Sequence, residues 1–198
     1  MRLVGASITK GSGVMRATET NRRRSALLGA GMVMLAGMMA QPAAAAENMR
    51  FHGTLVAEPC VIQPGDEDIQ LDFGTIVDKY LYLNTRTHSQ TFALHLTECD
   101  LSLGNTVAIT FTGTENAKLP GLLALDAGSL ASGIGIGLED STGKALPLNR
   151  ASDKFRLNAG NTTLTLQAYV QGEPEAIQTK SIGRGTFSAV ATFTLEYE

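Results

Sequence analysis

The final fourteen residues of the chain, 185–198, read GTFSAVATFTLEYE, and apolar and polar side chains alternate along them. The even-numbered positions are polar except for Val190. Alternation with a period of two is typical of a β-strand that buries one face, and it predicts a strand over 186–197. On this pattern alone, the strand either closes an ordinary sandwich or lies beside a missing neighbour. The apolar positions are Phe187, Ala189, Ala191, Phe193, Leu195 and Tyr197.

The same two-residue period recurs in short runs from residue 51 onward. Turn-forming residues such as Gly, Asn, Asp and Pro separate the runs, and no long stretch keeps helical spacing. This part of the chain is therefore predicted to be an all-β sandwich in one domain. The other predicted strands are 51–57, 69–76, 89–98, 106–112, 134–139 and 163–171.

A second alternating stretch, ENMRFHGTLV, covers residues 47–56. Met49, Phe51, Gly53 and Leu55 fall on one side of it, and mostly polar residues fall on the other. A glycine at a buried strand position packs nothing, and it often marks the close approach of another chain. We therefore expect this segment to pair with a strand of another molecule.

Residues 1–46 are predicted to be a secretory signal peptide. Three arginines, 22–24, precede a run of uncharged, mostly apolar residues, 25–40, and Ala44 and Ala46 fit the small-residue pattern for cleavage before Glu47. The run is shorter than the roughly 20 residues of a membrane span, which disfavours a membrane anchor.

Two details of the leader have alternatives. The arginines also fit a twin-arginine signal for folded export, but the hydrophobic residues expected after such a pair are weak, which favours unfolded export. Residues 1–14 are a superfluous extension if Met15 is the true start.

Export places Cys60 and Cys99 in an oxidising compartment, where two thiols normally form a disulfide. A bridge between them is the leading interpretation, and closing a loop of this length stabilises a domain by about 4 kcal/mol in the chain-entropy model. A free reactive thiol or a C-x-x-C redox site are the alternatives, and neither has support in the sequence.

Charge excludes one class of partner. The formal net charge is −3, but residues 1–46 hold six basic and one acidic side chain (+5), which leaves 10 basic and 18 acidic side chains (−8) in residues 47–198. An acidic domain that has no cluster of basic residues cannot neutralise the phosphates of a nucleic acid. The sequence therefore predicts no nucleic-acid partner.

No catalytic, cofactor or metal site is predicted. The stretch GIGIG (133–137) lacks the following helix that a phosphate-binding loop requires, and alternating Ile134, Ile136 and Leu138 indicate a buried strand instead. Asp66, Glu67 and Asp68 indicate a solvated turn, because further calcium ligands at the right spacing are absent. The histidines are too scattered to indicate a metal site: His52, His88 and His95.

Several short motifs, in their order and spacing, make the chain resemble the pilin subunits of chaperone–usher fimbriae over essentially all of its length after the leader. Two stretches, TFTGTE with LPG and EPEAIQTKSIGRG (173–185), look most like minor pilins of P-type fimbriae, particularly the adaptor between tip fibre and rod. The motifs are F-x-G with an apolar pair and the first cysteine (51–60), L-x-x-C (96–99), TFTGTE (110–115), LPG (119–121), GIGIGLED (133–140), LQAYV (166–170), and Gly185 with penultimate Tyr197.

The resemblance implies an incomplete immunoglobulin-like sandwich that lacks its seventh strand, so that the first and last strands flank an open apolar groove. A periplasmic chaperone lends a strand to this groove, and the N-terminal extension of the next subunit then replaces it. If five apolar side chains each lost about 1.5–3 kcal/mol of burial, an isolated subunit would forgo roughly 8–15 kcal/mol, the stability of a whole domain.

The resemblance also assigns residues. It implies a signal peptide over 1–46, a donor-strand region over 47–57 and a pilin domain over 58–198, with the carboxylate of Glu198 anchored in the chaperone. The thirteen residues between Ala46 and Cys60 make a short donor arm, typical of tip-type subunits, and cleavage after Ala44 would add two. The donor residues are Met49, Phe51, Gly53 and Leu55, with Gly53 at a constricted part of the groove. The groove and chaperone-binding strand comprises Gly185, Phe187, Ala189, Ala191, Phe193, Leu195 and Tyr197.

The sequence therefore predicts a non-enzymatic structural subunit of a fimbria, most similar to a minor tip or adaptor pilin, without a cofactor or small-molecule substrate. It is exported through the periplasm to the cell surface, where it contributes to adhesion. Its expected partners are the periplasmic chaperone, the outer-membrane usher and neighbouring pilins. The alternatives are a major rod pilin, a growth-terminating base subunit whose groove refuses a further donor, and a glycan-binding adhesin module, which would need an additional domain.

Overall fold

In the computed structural model, residues 2–5 and 55–198 are described, the first four through their backbone only. Contacts divide the chain into two units. The larger contains residues 1–9 and 57–198, and it holds all of the strands and helices given below. The other unit is Lys10–Val56, of which Leu55 and Val56 are described, both exposed and outside any strand or helix.

The regular secondary structure of the described residues consists of strands and two short helices. The helices are α1 (Asp78–Asn84) and α2 (Pro174–Thr179). The strands are β1 (Arg2–Gly5), β2 (Val61–Ile62), β3 (Asp68–Gln70), β4 (Gln90–Cys99), β5 (Thr106–Thr112), β6 (Glu115–Asn116), β7 (Leu119–Leu123), β8 (Ile134–Asp140), β9 (Phe155–Arg156), β10 (Gly160–Gly172) and β11 (Val190–Tyr197).

The strands form two sheets. The first has the order β3-β1-β11-β5-β9, and the second has the order β2-β4-β10-β8-β7-β6. The central ladders are antiparallel, with Phe193 opposite Phe111 in the first sheet and Leu166 opposite Phe92 in the second. Side chains from the inner faces of both sheets are buried in one hydrophobic cluster, so the predicted all-β sandwich is confirmed.

Burial follows the predicted alternation along β11. Ala191, Phe193 and Leu195 are buried, Thr192 and Thr194 between them are half-buried, and the flanking Val190 and Glu196 are exposed. A buried aliphatic or aromatic side chain of this size contributes about 1.5–3 kcal/mol. The inner face of β11 is therefore one of the main attachments between the two sheets.

The predicted start of the last strand, residue 186, is wrong, because the ladder begins at Val190. Just before it, the Thr186 carbonyl accepts hydrogen bonds from Leu130 and Ala131, and the Ser188 carbonyl accepts one from Asp126. These carbonyls bond to a loop rather than to a neighbouring strand. The alternation of apolar and polar residues therefore extends to Phe187 and Ala189, which precede the strand and do not pair in it.

Two other strand predictions are wrong in extent. The strand predicted over 69–76 is limited to β3, and the chain then turns through Gly74 at a φ of +61° and leads into α1. In the strand predicted over 51–57, residues 51–54 lie outside the described residues, and 55–57 are not in a strand.

The two helices were not predicted from the sequence. Each spans about two turns, and each buries one residue, Leu81 in α1 and Ala176 in α2. A single buried residue cannot produce a detectable helical period. Pro174 at the first position of α2 is the one local signal, since proline is favoured there.

A disulfide joins Cys60 and Cys99, as expected, with a Cα–Cα distance of 4.1 Å. It ties the chain just before β2 to the last residue of β4. Because Pro59 and Cys60 are buried while residues 55–58 are exposed, the disulfide marks where the N-terminal arm joins the sandwich.

An ion pair between a buried carboxylate and a partly exposed arginine lies on the second sheet. Glu139 of β8 is 3% exposed, and Arg86 donates to its two oxygens at 2.9 and 3.2 Å. Ser89 donates a further hydrogen bond to the carboxylate, and the guanidinium of Arg86 lies 3.9 Å from the centre of the Tyr169 ring. A Cβ at Gly137 would collide with that ring, which explains why glycine occurs in the GIGIG strand.

Burial by itself raises the pKa of the Glu139 carboxyl, but the hydrogen bonds from Arg86 and Ser89 outweigh it and hold the pKa below its usual range. A carboxyl whose pKa is lower in the folded than in the unfolded state stabilises the fold above its unfolded pKa. The contribution of Glu139 is therefore present at neutral pH and is lost as the pH falls below 4.5.

We expect Arg86→Ala to lower the free energy of unfolding at neutral pH by about 3 kcal/mol, the lower end for a broken buried pair, because Arg86 is itself partly exposed. Without Arg86, burial raises the pKa of Glu139, so the variant should regain stability relative to wild type as the pH falls from neutral toward that raised pKa. Urea unfolding across this pH range measures both effects.

Lys118→Ala is the matched control, since the Lys118–Glu175 pair at 3.2 Å is exposed on both sides. It should change stability by less than about 1 kcal/mol. Equal effects of the two substitutions would contradict the role given to the buried pair.

Candidate strand-binding site

The first sheet contains a position that a distant segment of the chain fills. The strands β3 and β11 are not bonded to each other, and β1 lies between them. The backbone of β1 pairs in parallel with Val190–Phe193 of β11 and antiparallel with β3, so that Leu3 lies opposite both Ala191 and Ile69. We call this position the strand slot. The edges of β3 and β11 that line it accept an added strand.

The predicted groove residues share one side of the chain beside the strand slot. Ala189, Ala191, Phe193 and Leu195 are buried, and Phe187 and Tyr197 at the two ends are half-buried. Gly185, Phe187 and Ala189 precede β11 rather than belonging to it. The wall of the strand slot is therefore also part of the core of the sandwich.

A cavity lies at the Phe187 end of the strand slot. It consists of two adjoining hollows of about 190 and 370 Å³ that share Ile76, Gly185 and Phe187 as lining residues. Phe73 and Leu81 add to its apolar wall, and the Phe73 and Phe187 rings lie 6.3 Å apart. We call it the end cavity. It is large enough for one aliphatic side chain.

An ion pair bridges the rim of the end cavity. Arg184 donates from Nε and Nη2 to one carboxylate oxygen of Asp78, at 2.9 and 2.6 Å. The Arg184 guanidinium holds the pKa of that carboxyl below its usual range. Gly185 follows at a φ of +148°, and a Cβ there would lie 2.5 Å from the Cβ of Leu130, so the close approach of these two segments requires glycine.

The end cavity includes residues that the sequence did not assign to a site: Phe73, Ile76, Leu81 and the Asp78–Arg184 pair. Phe73 and Ile76 were assigned to a strand that does not form. The break at Gly74 is the one local signal that the chain turns there. Nothing in the sequence indicates that this turn meets the segment before β11, which is more than 100 residues away.

The C-terminus is attached to the start of β5, on the edge of β11 that faces away from the strand slot. One terminal carboxylate oxygen of Glu198 accepts hydrogen bonds from the backbone of Asn105 and Thr106 at 2.8 and 3.1 Å, and the Glu198 side chain pairs with Lys154. Burial, with a smaller effect of the Glu58 charge, raises the pKa of Tyr197 to about 12.

Of the expected donor residues, Met49, Phe51 and Gly53 lie outside the described residues. Leu55 is described and is fully exposed, at 100%. Its side chain is therefore accessible to another molecule.

The acidic turn at residues 66–68 and the GIGIG stretch, which were weighed as binding sites in the sequence, have structural roles. Asp66 accepts hydrogen bonds from the backbone and the ring of His95, and Glu67 accepts one from the backbone of Gly65. Residues 134–137 of the GIGIG stretch form the first half of the buried strand β8, as predicted. Over residues 55–198, no group of three or more side chains is arranged to hold a metal ion. None of the described helices is long and apolar enough to cross a membrane.

Comparisons with known proteins agree on one family. A family model described as fimbrial protein matches residues 49–198. The chain is 32% identical over 152 residues to the putative minor fimbrial subunit PmfF of Proteus mirabilis, covering 76% of this chain and 84% of that protein. It is 31% identical over 173 residues to the fimbrial adapter PapK of Escherichia coli, covering 84% and 97%.

A solved structure has the same fold. The P pilus rod subunit PapA matches with a TM-score of 0.62 and 25% identity, over 71% of this chain and 100% of that chain. With the family match, this shows that the chain belongs to the fimbrial protein family and is a pilin subunit of chaperone–usher fimbriae.

Proposed function

We propose that this chain is a minor or adaptor pilin that joins its fibre by strand addition: its strand slot receives the N-terminal arm of a neighbouring pilin, and its own arm, residues 47–57, fills the strand slot of another. One observation supports this proposal. A gap one strand wide separates β3 from β11, and β1, which is distant from both in the sequence, occupies that gap. Strand addition to such an edge supplies main-chain hydrogen bonds, and alternate side chains supply specificity.

The incoming arm runs antiparallel to β11. An arm in the strand slot lies antiparallel to one of its two neighbours and parallel to the other, because β11 and β3 themselves run in opposite directions. Antiparallel pairing is the more stable per residue. It therefore forms with the eight-residue β11 rather than with the three-residue β3.

This direction places the end of the arm at the end cavity. The donor residues of the arm recur at every second position, and Leu55 is the last of these four before the sandwich begins. Antiparallel to β11, Leu55 lies near Phe187 and fills the end cavity, while Met49 lies toward Leu195. Gly53 then lies one side-chain position inside the cavity, where we propose that the groove is narrow.

Before assembly, the strand slot is covered by a strand of a periplasmic chaperone, which an outer-membrane usher then releases. The leader, residues 1–46, directs export and is removed, and residues 58–198 form the pilin domain. The product is a structural, non-enzymatic component of a surface fibre that contributes to adhesion.

The relatives and the cavity support an internal position in the fibre. A minor subunit and an adapter are among the relatives that match most of this chain. A growth-terminating subunit would need a strand slot that refuses a donor, whereas here the slot ends in an apolar cavity that accommodates a side chain.

Gly53→Leu tests the donor role of the arm. We expect chaperone capture in the periplasm to be unchanged, because the arm is outside the chaperone-bound groove, while incorporation into fibres falls at least about tenfold, since overpacking of a filled site costs roughly 1–3 kcal/mol. Thr54→Leu, on the opposite side of the strand, is the matched control and should assemble normally. The measurement compares the amount of each variant in purified fibres with the amount that co-purifies with the chaperone. Normal incorporation of Gly53→Leu contradicts the proposal.

Leu55→Asp tests the direction and register of the arm. An aspartate in the apolar end cavity is expected to reduce fibre incorporation by about tenfold or more, because a buried unpaired carboxylate is costly. Val56→Asp changes the adjacent exposed residue, which faces the other side of the strand, and should have little effect. The opposite ranking of the two variants in the same fibre assay would show that the register is wrong.

A further inference from the structure

We propose that residues 2–5 fill the strand slot of their own chain in the precursor and keep the arm of another subunit out of it until the leader is removed. The inference rests on the strand addition proposed above and adds a form of regulation to the same site. β1 belongs to the segment that is expected to be cleaved before Glu47. Removal of the leader therefore also opens the strand slot.

β1 occupies the strand slot as a strand of the sheet. Its four residues pair with residues 190–193 of β11 on one side, and residues 2–4 pair with β3 on the other. Both edges of the slot are covered along the length of β1. An unpaired edge is a template for pairing with another chain, and a covered edge is not.

The sequence of β1 is similar to part of the arm. Residues 2–6 read RLVGA and residues 50–54 read RFHGT, so an arginine is followed in both by an apolar residue and, two positions later, by a glycine and a small residue. In the ladder with β11, Leu3 lies opposite Ala191 and Gly5 lies opposite Phe193. Each larger residue is thus paired with a smaller one, which avoids overpacking beside the core.

β1 is nevertheless a weaker occupant than an arm. It pairs with only four of the eight residues of β11, and it runs parallel to β11, which is the less stable direction per residue. Its pairing begins at Val190 and continues away from Phe187, so these four residues do not reach the end cavity. An arm that runs antiparallel along β11 and places Leu55 in this cavity makes more contacts.

The covalent connection compensates for this weakness. While β1 is part of the same chain, its pairing is intramolecular, with an effective concentration of up to about a millimolar. A strand from another molecule competes at a much lower concentration. Cleavage of the leader ends the connection, and the few hydrogen bonds of a four-residue strand do not then offset the freedom lost on association. β1 leaves, and the slot is open to a longer strand.

The experiment uses the precursor, residues 1–198, and a fluorescent peptide of residues 47–57. A protease recognition sequence that replaces residues 41–46 allows the leader to be cut from the same protein. Peptide binding is measured before and after cutting, at a protein concentration well below that of the peptide. We expect the uncut precursor to bind the peptide at least about tenfold more weakly than the cut protein, because only the uncut form holds β1 at the slot.

Val4→Pro tests β1 itself. Val4 lies opposite Thr192 of β11 and Asp68 of β3, and proline, which has no N–H, is excluded from a strand with neighbours on both sides. The uncut variant should bind the peptide about as tightly as the cut wild-type protein. Ser7→Pro, two residues after the end of β1, is the matched control and should bind the peptide as weakly as the uncut wild type.

Urea unfolding gives a second measurement in case Val4→Pro is unstable without a strand in its slot. The uncut wild type should unfold cooperatively at a midpoint that does not depend on protein concentration, because β1 is supplied by the same chain. Uncut Val4→Pro should show a cooperative transition only with the peptide, at a midpoint that rises with peptide concentration.

Three results would overturn the inference. Cut and uncut precursors could bind the peptide equally well, uncut Val4→Pro could bind it no better than the uncut wild type, or the wild-type midpoint could rise with protein concentration, which means that another copy fills the slot. A peptide that binds none of these proteins would also contradict it, because β1 then excludes nothing. The proposed function is judged separately, by the fibre incorporation of Gly53→Leu in chains that have lost the leader.

Discussion

The strand position between β3 and β11 is the constraint on which the rest of the structure depends. The inner face of β11 belongs to the hydrophobic core, while its outer edge needs a hydrogen-bonding neighbour that β3, with three residues, cannot supply. An unpaired strand edge next to the core destabilises the fold. Its main-chain N–H and C=O groups have no partner in the sheet, and the adjacent apolar side chains are exposed to water. In the proposed function, the same edge binds one added strand, so that each subunit has a binding site at one end and the strand that fills it at the other.

The rest of the sandwich holds this edge in place. The disulfide fixes the root of the arm to β4, the Glu198 carboxylate is bonded to the start of β5, and the Asp78–Arg184 pair joins α1 to the segment before β11. The buried Arg86–Glu139 pair lies on the other sheet, away from the strand slot. Because these attachments lie outside the slot, one strand can be exchanged for another without rebuilding the domain. This separation is what a subunit needs if it passes from a chaperone to a neighbour.

The period of the apolar residues predicted the class of the fold, the central strands β4, β5, β8 and β10, and the buried face of β11. It could not predict where the ladder of β11 begins, because Ala189 is buried just as Ala191 is, and only the hydrogen bonds of Thr186 and Ser188 to a loop distinguish the two segments. The helices escaped detection since each buries a single residue. The end cavity was missed because it joins residues 71–81 to residues 182–187, a long-range contact that no local pattern encodes.

The most direct measurement is the unfolding of residues 58–198, which lack both β1 and the arm, with and without the peptide of residues 47–57. The account predicts a cooperative transition only with the peptide, at a midpoint that rises with peptide concentration, since a ligand that binds the folded state alone stabilises by mass action. A stable monomer that unfolds cooperatively at the same midpoint whether or not the peptide is present would contradict it.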